Sequence, residues 1–457
     1  MRNLDDTIAA ISTPLGQGGI GLVRMSGPDA LRIARRLFRP SRGRPDGSWP
    51  PFRLRHGFIA DPATGERVDE ALAAYMPAPR TYTRQDVVEF NCHGGIVPLR
   101  RVLQLSLCEG ARLAEPGEFT LRAFLNGRID LAQAEAVLDI VGAHTEAALR
   151  LAVSQLGGRL SGEIRAAREP LVDALAYLEA TIDFAEDEVP SMDIGPALRD
   201  AAESLRRILR GADQGIIYRQ GIRAAIVGRP NVGKSSLLNA LLQMDRAIVT
   251  PIPGTTRDTL EETLNLDGVP LVLVDTAGIA NGSADAIERL GIERSRKAIQ
   301  SADLILLVVD GSQPLQTGDL DIARLAEGRT ALVVVNKRDL PSAADLNRFL
   351  PAAPRACVSA LTGEGLDGLR RAILDRALGG EMLASDGILI TSVRHKEALV
   401  RALRHVEKAE ATFQQGLPAD FVTIDLSAAL DGLGEVTGQA VSPDVLDSIF
   451  SNFCIGK

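Results

Sequence analysis

The stretch Gly228-Arg-Pro-Asn-Val-Gly-Lys-Ser235 has the composition of a phosphate-binding loop. It follows an apolar run, residues 222–227, and precedes Ser236-Leu-Leu-Asn-Ala-Leu241, which has the pattern of a helix. Glycines allow backbone N–H groups to surround phosphate oxygens, and the start of a helix adds partial positive charge. The order of strand, loop and helix therefore predicts a nucleotide-phosphate site. We expect Lys234 to reach the β- and γ-phosphates and Ser235 to bind Mg²⁺.

Two segments that follow this loop are suited to the γ-phosphate side of a nucleotide. Asp275-Thr-Ala-Gly278 ends the apolar run 271–274. The carboxylate can hold the Mg²⁺ shell, and the Gly278 N–H can bond the γ-phosphate. Between the two motifs lies Thr250-Pro-Ile-Pro-Gly-Thr-Thr-Arg257, a loop of the switch type. In that loop Thr256 can complete the Mg²⁺ shell.

A third motif identifies the base. Asn336-Lys-Arg-Asp339 ends the apolar run 331–335. An aspartate in that place can accept hydrogen bonds from the N1–H and the exocyclic amino group of guanine. Adenine offers no such pair of donors, so Asp339 predicts GTP rather than ATP. Ser359-Ala360 follows another short run, 356–358, and is expected to close over the base through backbone N–H groups.

These motifs in this order predict a P-loop GTPase domain over residues 221–378. The expected fold is α/β with a mostly parallel sheet, and the ligand lies at the carboxyl ends of the strands. The predicted strands lie near 222–227, 262–267, 269–274, 304–309, 331–335 and 356–358.

Two residues distinguish this domain from a Ras-like switch. Ile279 follows the Asp275–Gly278 motif where a glutamine would orient the attacking water, so another group must do so. Asn231, within the phosphate-binding loop, can coordinate a cation near the β- and γ-phosphates, where it would act on transition-state charge. Alternatively, Asn231 only caps local backbone N–H groups. The spacing does not distinguish these two roles.

Composition sets the bounds on the rest of the chain. With 457 residues, two to four domains are expected. The net charge of −8 argues against general affinity for nucleic acid, though it allows a local basic patch. The four cysteines have no close spacing, so no disulfide framework or zinc site is indicated. No signal peptide and no apolar run of membrane length is present, which favours a cytoplasmic protein.

The pattern outside the GTPase domain predicts two further parts. Residues 1–120 combine strand-like and helix-like segments and are expected to form an α+β domain. Residues 121–220 and 379–457 are mainly helical, and we interpret them as one all-α domain into which the GTPase domain is inserted. The arginine-rich stretch 31–56 is expected to be a helix end and an exposed loop; a solvated basic surface is favoured over a phosphate-contacting patch. Four apolar residues at helical spacing are expected to be core: Leu149, Val153, Leu156 and Leu160.

The last residues are unusual for a chain end, because the segment is rich in apolar side chains. Phe450, Phe453 and Ile455 can anchor it. Two interpretations remain open: a packed tail that presents Cys454 and Lys457 to a site, or a buried structural cysteine.

The motifs along the whole chain resemble the MnmE (TrmE) family of tRNA-modifying GTPases. Those outside the GTPase domain are Gly18-Gly-Ile-Gly-Leu-Val-Arg24, the block from Tyr82-Thr83 to Cys92-His-Gly-Gly95, Pro116-Gly-Glu-Phe119, Asp130-Leu-Ala-Gln-Ala-Glu135 and the terminal Phe453-Cys-Ile-Gly-Lys457.

The resemblance implies a specific activity. With a FAD-dependent partner, such proteins add a carboxymethylaminomethyl-type group to C5 of the wobble uridine of certain tRNAs. It also implies a homodimer, a heterotetramer with that partner, and a 5-formyltetrahydrofolate-type cofactor bound by an N-terminal folate-binding and dimerisation domain. Arg24, Glu89, Arg128 and Lys457 would line the folate site. Cys454 is a candidate for the tRNA-modification chemistry.

For the GTPase domain, the resemblance implies activation by K⁺ and dimerisation across the G domains. It favours the cation role of Asn231 and adds Thr250, Ile252 and Thr255 as K⁺ ligands. Ser235 and Thr256 would bind Mg²⁺. The catalytic set is Glu288, Lys234 and Thr256, with Glu288 as the water-positioning residue. The predicted GTP-binding set is Asn231, Val232, Gly233, Lys234, Ser235, Ser236, Thr250, Pro251, Ile252, Pro253, Gly254, Thr255, Thr256, Asp275, Thr276, Ala277, Gly278, Asn336, Lys337, Asp339, Ser359 and Ala360.

Two departures from the family pattern and one competing function need a test. Pro253 stands where a small residue is usual, and it removes an N–H from the switch loop. The segment Ala280-Asn-Gly-Ser-Ala284 also differs, which affects the alignment of Glu288.

The competing function is a ribosome-assembly GTPase that acts as a binding switch. Such a protein should carry a basic RNA-binding appendage, and no Gly-x-x-Gly clamp follows the GTPase domain here.

Overall fold

A computed structural model describes residues 5–42, 47–184, 190–246, 262–274, 296, 298–379, 387 and 389–457. They belong to two compact units. The first unit comprises Met1–Leu138, Leu156–Arg168 and Thr423–Lys457, and the second comprises Asp139–Gln155 and Glu169–Val422. The domain boundaries at 120, 220 and 378 stay predictions.

A seven-stranded sheet forms the frame of the first unit. In chain order its strands are β1 (Ile8–Ile11), β2 (Gly18–Ser26), β3 (Phe38–Pro40), β4 (Leu54–Ala60), β5 (Arg67–Met76), β6 (Val87–Gly94) and β7 (Arg112–Leu113). The spatial order is β3-β4-β5-β6-β2-β1-β7, and every pairing is antiparallel except that of β1 with β7. Alternate side chains of the sheet pack in one core with the helices α1 (Ala30–Leu37) and α2 (Ile96–Cys108). This sheet and its helices confirm the α+β prediction.

The arginine-rich stretch contains more strand structure than expected. The helix end is confirmed, but the stretch also contains β3 and the start of β4. Trp49, between them, is buried at 5% exposure and packs edge-on against Phe38. The expected exposed loop is confirmed for most of the described residues between the two strands, and Trp49 is the exception because it anchors the loop to Phe38.

The second unit contains a six-stranded sheet that matches the predicted α/β domain. The strands are β8 (Ile222–Val227), β9 (Glu262–Leu266), β10 (Val269–Val274), β11 (Leu304–Asp310), β12 (Ala331–Asn336) and β13 (Arg355–Cys357). The spatial order is β13-β12-β11-β8-β10-β9; only β9 is antiparallel to its neighbour. The central β11 is buried along its whole length, as expected for a strand covered on both faces. Strand β8 lies between β10 and β11, so the chain crosses to the other side of it and leaves a crevice at its carboxyl end.

The remaining helices were largely predicted. They are α3 (Glu118–Leu125), α4 (Leu131–Gly142), α5 (Glu146–Leu156), α6 (Arg159–Asp183), α7 (Gly195–Leu209), α8 (Ala212–Gln220), α9 (Lys234–Arg246), α10 (Thr317–Ala326), α11 (Leu366–Leu378), α12 (Val393–Gln414), α13 (Ala419–Thr437) and α14 (Pro443–Ser451). Within the described ranges, none of these helices has the length and apolar character needed to cross a membrane.

One core prediction on α5 was wrong. Leu149 is 40% exposed and Val153 is 52% exposed, although Leu160, at the start of α6, is buried. The buried stripe of α5 is instead formed by Ala147, Ala148, Leu151, Ala152 and Gln155. Small alanine side chains allow close approach of neighbouring backbone, so they occupy the contact face and leave the larger apolar side chains outside.

Candidate functional site

The phosphate-binding loop follows β8 directly. Three of its residues have positive φ angles, which glycine and asparagine adopt more readily than other residues. Gly228 has φ 154°, and a Cβ there would lie 2.3 Å from the carbonyl oxygen of Val308. Gly233 has φ 96°, and a Cβ there would lie 2.2 Å from Nδ2 of Asn336. Asn231 has φ 64°, a conformation that asparagine tolerates better than most side chains. Glycine is therefore required at both positions, because the loop packs closely against β11 and Asn336. A glycine-rich loop of this kind leaves backbone N–H groups accessible to an anion.

Lys234 begins α9 and curls back over this loop. Its Nζ donates to the carbonyl oxygens of Gly228, at 2.8 Å, and Arg229, at 2.7 Å. Burial, with a smaller contribution from the charge of Arg229, lowers the pKa of Lys234 to about 8. The ammonium group thus lies inside the loop in a partly desolvated setting, where a phosphate would favour its charged form.

Arg229 is held from outside the loop. Its Nε pairs with Asp319 at 2.8 Å, and its Nη1 donates to Oε1 of Gln316 at 2.5 Å. Both partners lie at the start of α10, where Gln316 and Asp319 also form a capping box. The start of that helix therefore limits where the phosphate-binding loop can move.

The Asn336–Asp339 motif lies at the carboxyl end of β12, and its asparagine connects two other segments. Asn336 is buried; its Nδ2 donates to the carbonyl of Val232 at 2.9 Å, and its Oδ1 accepts from the N–H of Ala360 at 3.0 Å. One side chain thus joins the phosphate-binding loop, the base-reading motif and the segment after β13. The predicted convergence of these three segments is present in the structure.

Asp339 and Ser359 form the outer part of this arrangement. The Ser359 hydroxyl donates to Oδ1 of Asp339 at 2.5 Å, and the N–H of Thr362 donates to the same hydroxyl at 3.2 Å. Ser359 is fully buried, whereas Asp339 is exposed. The hydrogen bond from Ser359 therefore fixes one carboxylate oxygen, while the side chain of Asp339 stays exposed. An exposed carboxylate can accept hydrogen bonds from a ligand.

Several predicted residues lie outside the described part of the chain. The described set is Asn231, Val232, Gly233, Lys234, Ser235, Ser236, Asn336, Lys337, Asp339, Ser359 and Ala360. Nothing is described for Thr250, Pro251, Ile252, Pro253, Gly254, Thr255, Thr256, Asp275, Thr276, Ala277, Gly278, Ile279 or Glu288. Ser235 and Ser236 are exposed at the start of α9, and the Asn231 side chain is exposed at the mouth of the loop.

A second group of polar residues lies on the seven-stranded sheet. Arg24 on β2 faces Glu89 on β6, and both its Nε and its Nη2 lie 2.8 Å from Oε1 of the carboxylate. The same guanidinium lies 5.8 Å from the ring centre of Phe119, in the first turn of α3. Each side chain of the pair is about one-fifth exposed, so a ligand can reach both.

Tyr82 connects this pair to Arg128. The Arg128 guanidinium lies 4.8 Å from the centre of the Tyr82 ring, and the Tyr82 hydroxyl bonds the hydroxyl of Thr120 at 2.9 Å. Burial raises the pKa of Tyr82, while the Thr120 hydrogen bond and the charges of Arg128 and Arg24 oppose that effect. Tyr82 and the first turn of α3 thus assemble residues that lie far apart in the sequence.

The end of the chain packs against the same turn of α3. The N–H of Phe119 donates to the main-chain oxygen of Lys457 at 3.1 Å, and Ile455 forms a bridge with Pro116. Phe450 and Phe453 are buried, as predicted for anchors. Arg24 and the main-chain oxygen of Lys457 thus both contact Phe119, whereas Glu89 is linked to this turn through Arg24 and Arg128 through Tyr82.

One expectation about this segment was wrong, and one of its two open interpretations is excluded. The side chain of Ile455 is 51% exposed, so only its backbone anchors the segment. Cys454 is exposed, which excludes the interpretation of a buried structural cysteine. Phe453 and Gly456 are buried, and the two residues between them, Cys454 and Ile455, lie on the exposed side.

Three contributors to the two sites were missed in the sequence. Phe119 and Tyr82 lie in stretches that matched the family, but no role followed from their residue types. Asp310 ends an apolar run, as Asp275 and Asn336 do, and pairs with Lys337 at 2.6 Å. The position of a polar residue at the carboxyl end of a parallel strand was therefore a usable signal for Asp310.

Comparison with known proteins covers nearly the whole chain. A family model described as "MnmE helical domain" matches residues 131–454, and one described as "GTP-binding protein TrmE N-terminus" matches residues 7–128. A protein of Roseiflexus castenholzii named "tRNA modification GTPase MnmE" is 55% identical over 468 residues, which cover 99% of each chain. The protein of that name from Chloroflexus aurantiacus is 50% identical over 458 residues, which cover 99% of this chain and 100% of that one. The solved G domain of the T. maritima FeoB iron transporter matches 34% of this chain and 98% of that chain, at 28% identity and a TM-score of 0.25.

Proposed function

Because the chain belongs to the MnmE family of tRNA modification GTPases, we propose that its phosphate-binding loop and its Asn336–Asp339 motif bind GTP for hydrolysis during tRNA modification. The observation that carries the proposal is the double contact of Asn336, which ties the loop to the base-reading segments. The sheet places these groups at the carboxyl ends of β8 and β12. This arrangement lets one ligand span from the phosphates to the base.

The roles proposed for the described residues follow from their chemistry. The backbone N–H groups of residues 231–236 surround the phosphates, and Lys234 contributes the positive charge that favours the transferring phosphoryl group. Asp339 accepts from guanine. Ala360 follows the buried Ser359 and lies against Asn336, so it closes the base side.

The metal ions are assigned by ligand type. Ser235 supplies a hydroxyl oxygen at the mouth of the loop, which suits Mg²⁺, and Thr256 is proposed as a second ligand. Asn231 supplies an amide oxygen for K⁺, with Thr250, Ile252 and Thr255 as the other proposed ligands. Bound there, the two cations would supply charge next to the phosphates. Thr256 and Glu288 are the proposed catalytic residues beside Lys234, with Glu288 orienting the attacking water.

The second group of polar residues is proposed to bind a 5-formyltetrahydrofolate-type cofactor. Such a ligand combines a flat ring that carries amino and amide groups with carboxylates on a tail. Glu89 can accept from ring N–H groups, while Arg24, Arg128 and Lys457 can pair with carboxylates. The partly exposed ring of Tyr82 suits the flat ring, while Phe119 is fully buried and supports Arg24. Bound there, the cofactor would supply a one-carbon unit, and Cys454, exposed nearby in the chain, is the residue proposed to take part in the tRNA chemistry.

The modification proposed is the addition of a carboxymethylaminomethyl-type group to C5 of the wobble uridine. We further propose that a homodimer works with a FAD-dependent partner as a heterotetramer, in the cytoplasm. The four cysteines are free thiols and three of them are exposed, which supports a reducing compartment.

Three measurements test this function. Nucleosides of tRNA from cells that lack this chain should show unmodified wobble uridines, and unchanged uridines would contradict the proposal. GTP hydrolysis should be faster in K⁺ than in Na⁺; equal rates would contradict the K⁺ site alone. Asp339→Asn should shift preference towards xanthosine triphosphate. The asparagine amide is a donor that cannot pair with the donors of guanine but can pair with the carbonyl oxygen that xanthine carries in place of the amino group. Unchanged GTP use by that variant would contradict the base-reading role.

A further inference from the structure

We propose that Asp310 is a positioning residue for guanine-nucleotide binding, which acts by holding the Asn336–Lys337 corner of the base-reading motif. The inference rests on the proposed GTPase function. Asp310 ends β11, the strand next to β12, and in the parallel register it lies directly beside Asn336. It is outside the predicted binding set, and its side chain is only 4% exposed.

Both oxygens of the Asp310 carboxylate are engaged. Oδ1 accepts from the N–H of Ser312 at 3.0 Å and from its hydroxyl at 2.6 Å. Oδ2 accepts from Nζ of Lys337 at 2.6 Å. Burial alone would raise the pKa of Asp310, but the hydrogen bonds from Lys337 and Ser312 hold it below the ordinary value. The carboxylate is thus charged and fixed in orientation, so it can direct the lysine.

The backbone of Lys337 has an unfavourable conformation, which the contact with Asp310 can help to stabilise. Its φ of 65° places a non-glycine residue in the left-handed region, which is unfavourable for most side chains. That conformation turns the chain sharply after β12, and the N–H of Arg338 then donates to the carbonyl of Val358 at 3.0 Å. The ion pair with Asp310 stabilises this turn from the opposite side. The direction in which Asn336 and Asp339 leave the strand therefore depends on Asp310.

Gly311 adds a second, independent connection. Its N–H donates to the carbonyl of Asn336 at 2.9 Å, and its own carbonyl accepts from the N–H of Ala343 at 2.9 Å. A Cβ on Gly311 would lie 2.9 Å from Cγ1 of Val335 and 3.0 Å from that same Asn336 oxygen. The close approach shows that the turn after β11 packs directly against the turn after β12. Asp310 adds an ion pair to this packing contact.

A partly buried ion pair is weak evidence for a stabilising role alone, since desolvation offsets much of the attraction. The location of this pair favours a role in binding. It contacts the motif that carries Asp339 and the asparagine that bonds the phosphate-binding loop. A displaced Asn336 would therefore disturb both the phosphate side and the base side of the proposed site.

The test is Asp310→Asn in the full chain, with a fluorescent guanine nucleotide as the probe. The amide keeps the shape and the acceptor for Ser312 but turns an N–H group towards Lys337. We expect GTP and GDP to bind about 10-fold or more weakly. The KM for GTP should rise while kcat at saturating GTP stays within about twofold. The matched control is Asp321→Asn, which removes an exposed carboxylate of the following helix and should change nothing.

A double-mutant cycle shows whether Asp310 acts through Lys337. If it does, Asp310→Asn combined with Lys337→Gln should bind nucleotide no worse than Lys337→Gln alone, and Asp310→Glu should recover part of the affinity. Additive losses, unchanged affinity of Asp310→Asn, or a fall of kcat with unchanged KM would each overturn the inference. If the wild-type chain itself fails to bind GTP, the proposed function fails instead.

Ser312→Ala is the second variant, for the case that Asp310→Asn does not fold. It removes one hydrogen bond to the carboxylate and leaves the ion pair in place. A rise of about threefold in the KM for GTP, with kcat unchanged, is expected. An unchanged KM would overturn the inference.

Discussion

The side-chain amide of Asn336 donates a hydrogen bond of 2.9 Å to the carbonyl oxygen of Val232, which joins two loops that lie 104 residues apart in the sequence. The same side chain accepts from Ala360. One buried residue therefore connects the phosphate-binding loop with the predicted base-reading loop.

Asn336→Ala should weaken GTP binding by about 30- to 100-fold, because two buried hydrogen bonds are worth roughly 2–3 kcal/mol in total. The measurement is nucleotide titration by calorimetry. Asn347→Ala, at an exposed position of the same sheet domain, should leave the affinity unchanged. An Asn336→Ala variant with wild-type affinity would show that the two loops are positioned independently.

Gly233→Ala should abolish nucleotide binding. Alanine is strained at φ 96°, and its methyl group would meet Nδ2 of Asn336 at 2.2 Å. Gly162→Ala is the matched control, since Gly162 lies exposed in α6 with no atom within 4 Å of the added methyl. That control should bind nucleotide normally and gain up to about 1 kcal/mol of stability. Equal binding by both variants would contradict the assigned role of the loop.

Nucleotide affinity should fall as the pH rises above about 8. The pKa of Lys234 is lowered to about 8 in the free protein, so its charge is lost over that range. A phosphate beside Lys234 favours the charged form, and binding near that pH must therefore take up protons. Calorimetry in two buffers of different ionisation enthalpy measures this uptake, and Lys234→Gln should eliminate it. No proton uptake would mean that Lys234 does not meet the phosphates.

The lowered pKa of Lys234 should also make the stability of the free protein rise with pH, whereas nucleotide affinity falls. The unfolded chain binds this proton up to about pH 10, whereas the folded chain releases it near pH 8. On account of this group, the free energy of unfolding should increase with pH between these values. Urea titrations of wild type and Lys234→Gln, compared across that range, isolate the contribution.

The tip of the β9–β10 hairpin should be a sensitive point of the second unit. The Thr145 hydroxyl donates to the carbonyl of Gly268 at 2.7 Å and accepts from the N–H of Ala148, so it also caps α5. Thr145→Val should lower the free energy of unfolding by about 1–3 kcal/mol, because it leaves both groups without a partner. Thr145→Ser keeps the hydroxyl and serves as the control. Equal stability of the two variants would contradict this account.

Arg24→Ala should weaken binding of a tetrahydrofolate-type ligand more than Arg32→Ala. Arg24 belongs to the pair with Glu89 beside Phe119, whereas Arg32 pairs with Asp29 on an exposed helix face. A loss of about 10-fold or more is expected for Arg24→Ala, since it removes a charge-assisted contact and leaves Glu89 without this partner. The check is fluorescence titration with 5-formyltetrahydrofolate. Equal affinities of the two variants would contradict the site.

Local patterns were sufficient for much of the fold. Continuous apolar runs identified β8, β10, β11 and β12, because strands covered on both faces have few polar positions. The prediction of core residues was less accurate where burial depends on which face of a helix packs against its neighbours. Leu149 and Val153 are exposed, since the alanine face of α5 makes the contacts, and β3 and β4 were hidden by the arginines around them.

By itself, the sequence determined the composition of the phosphate-binding loop and predicted the base that it serves. Eight consecutive residues carry the glycines and the lysine of the predicted phosphate site, and Asp339 predicts guanine because its carboxylate can accept from the two donors of that base. Only the tertiary structure decided that Asp310 holds Lys337, and that Arg24, Tyr82, Phe119, Arg128 and Lys457 lie together. These contacts depend on strand register and on the meeting of distant segments. A linear pattern does not contain that information, because each residue type alone fits many surroundings.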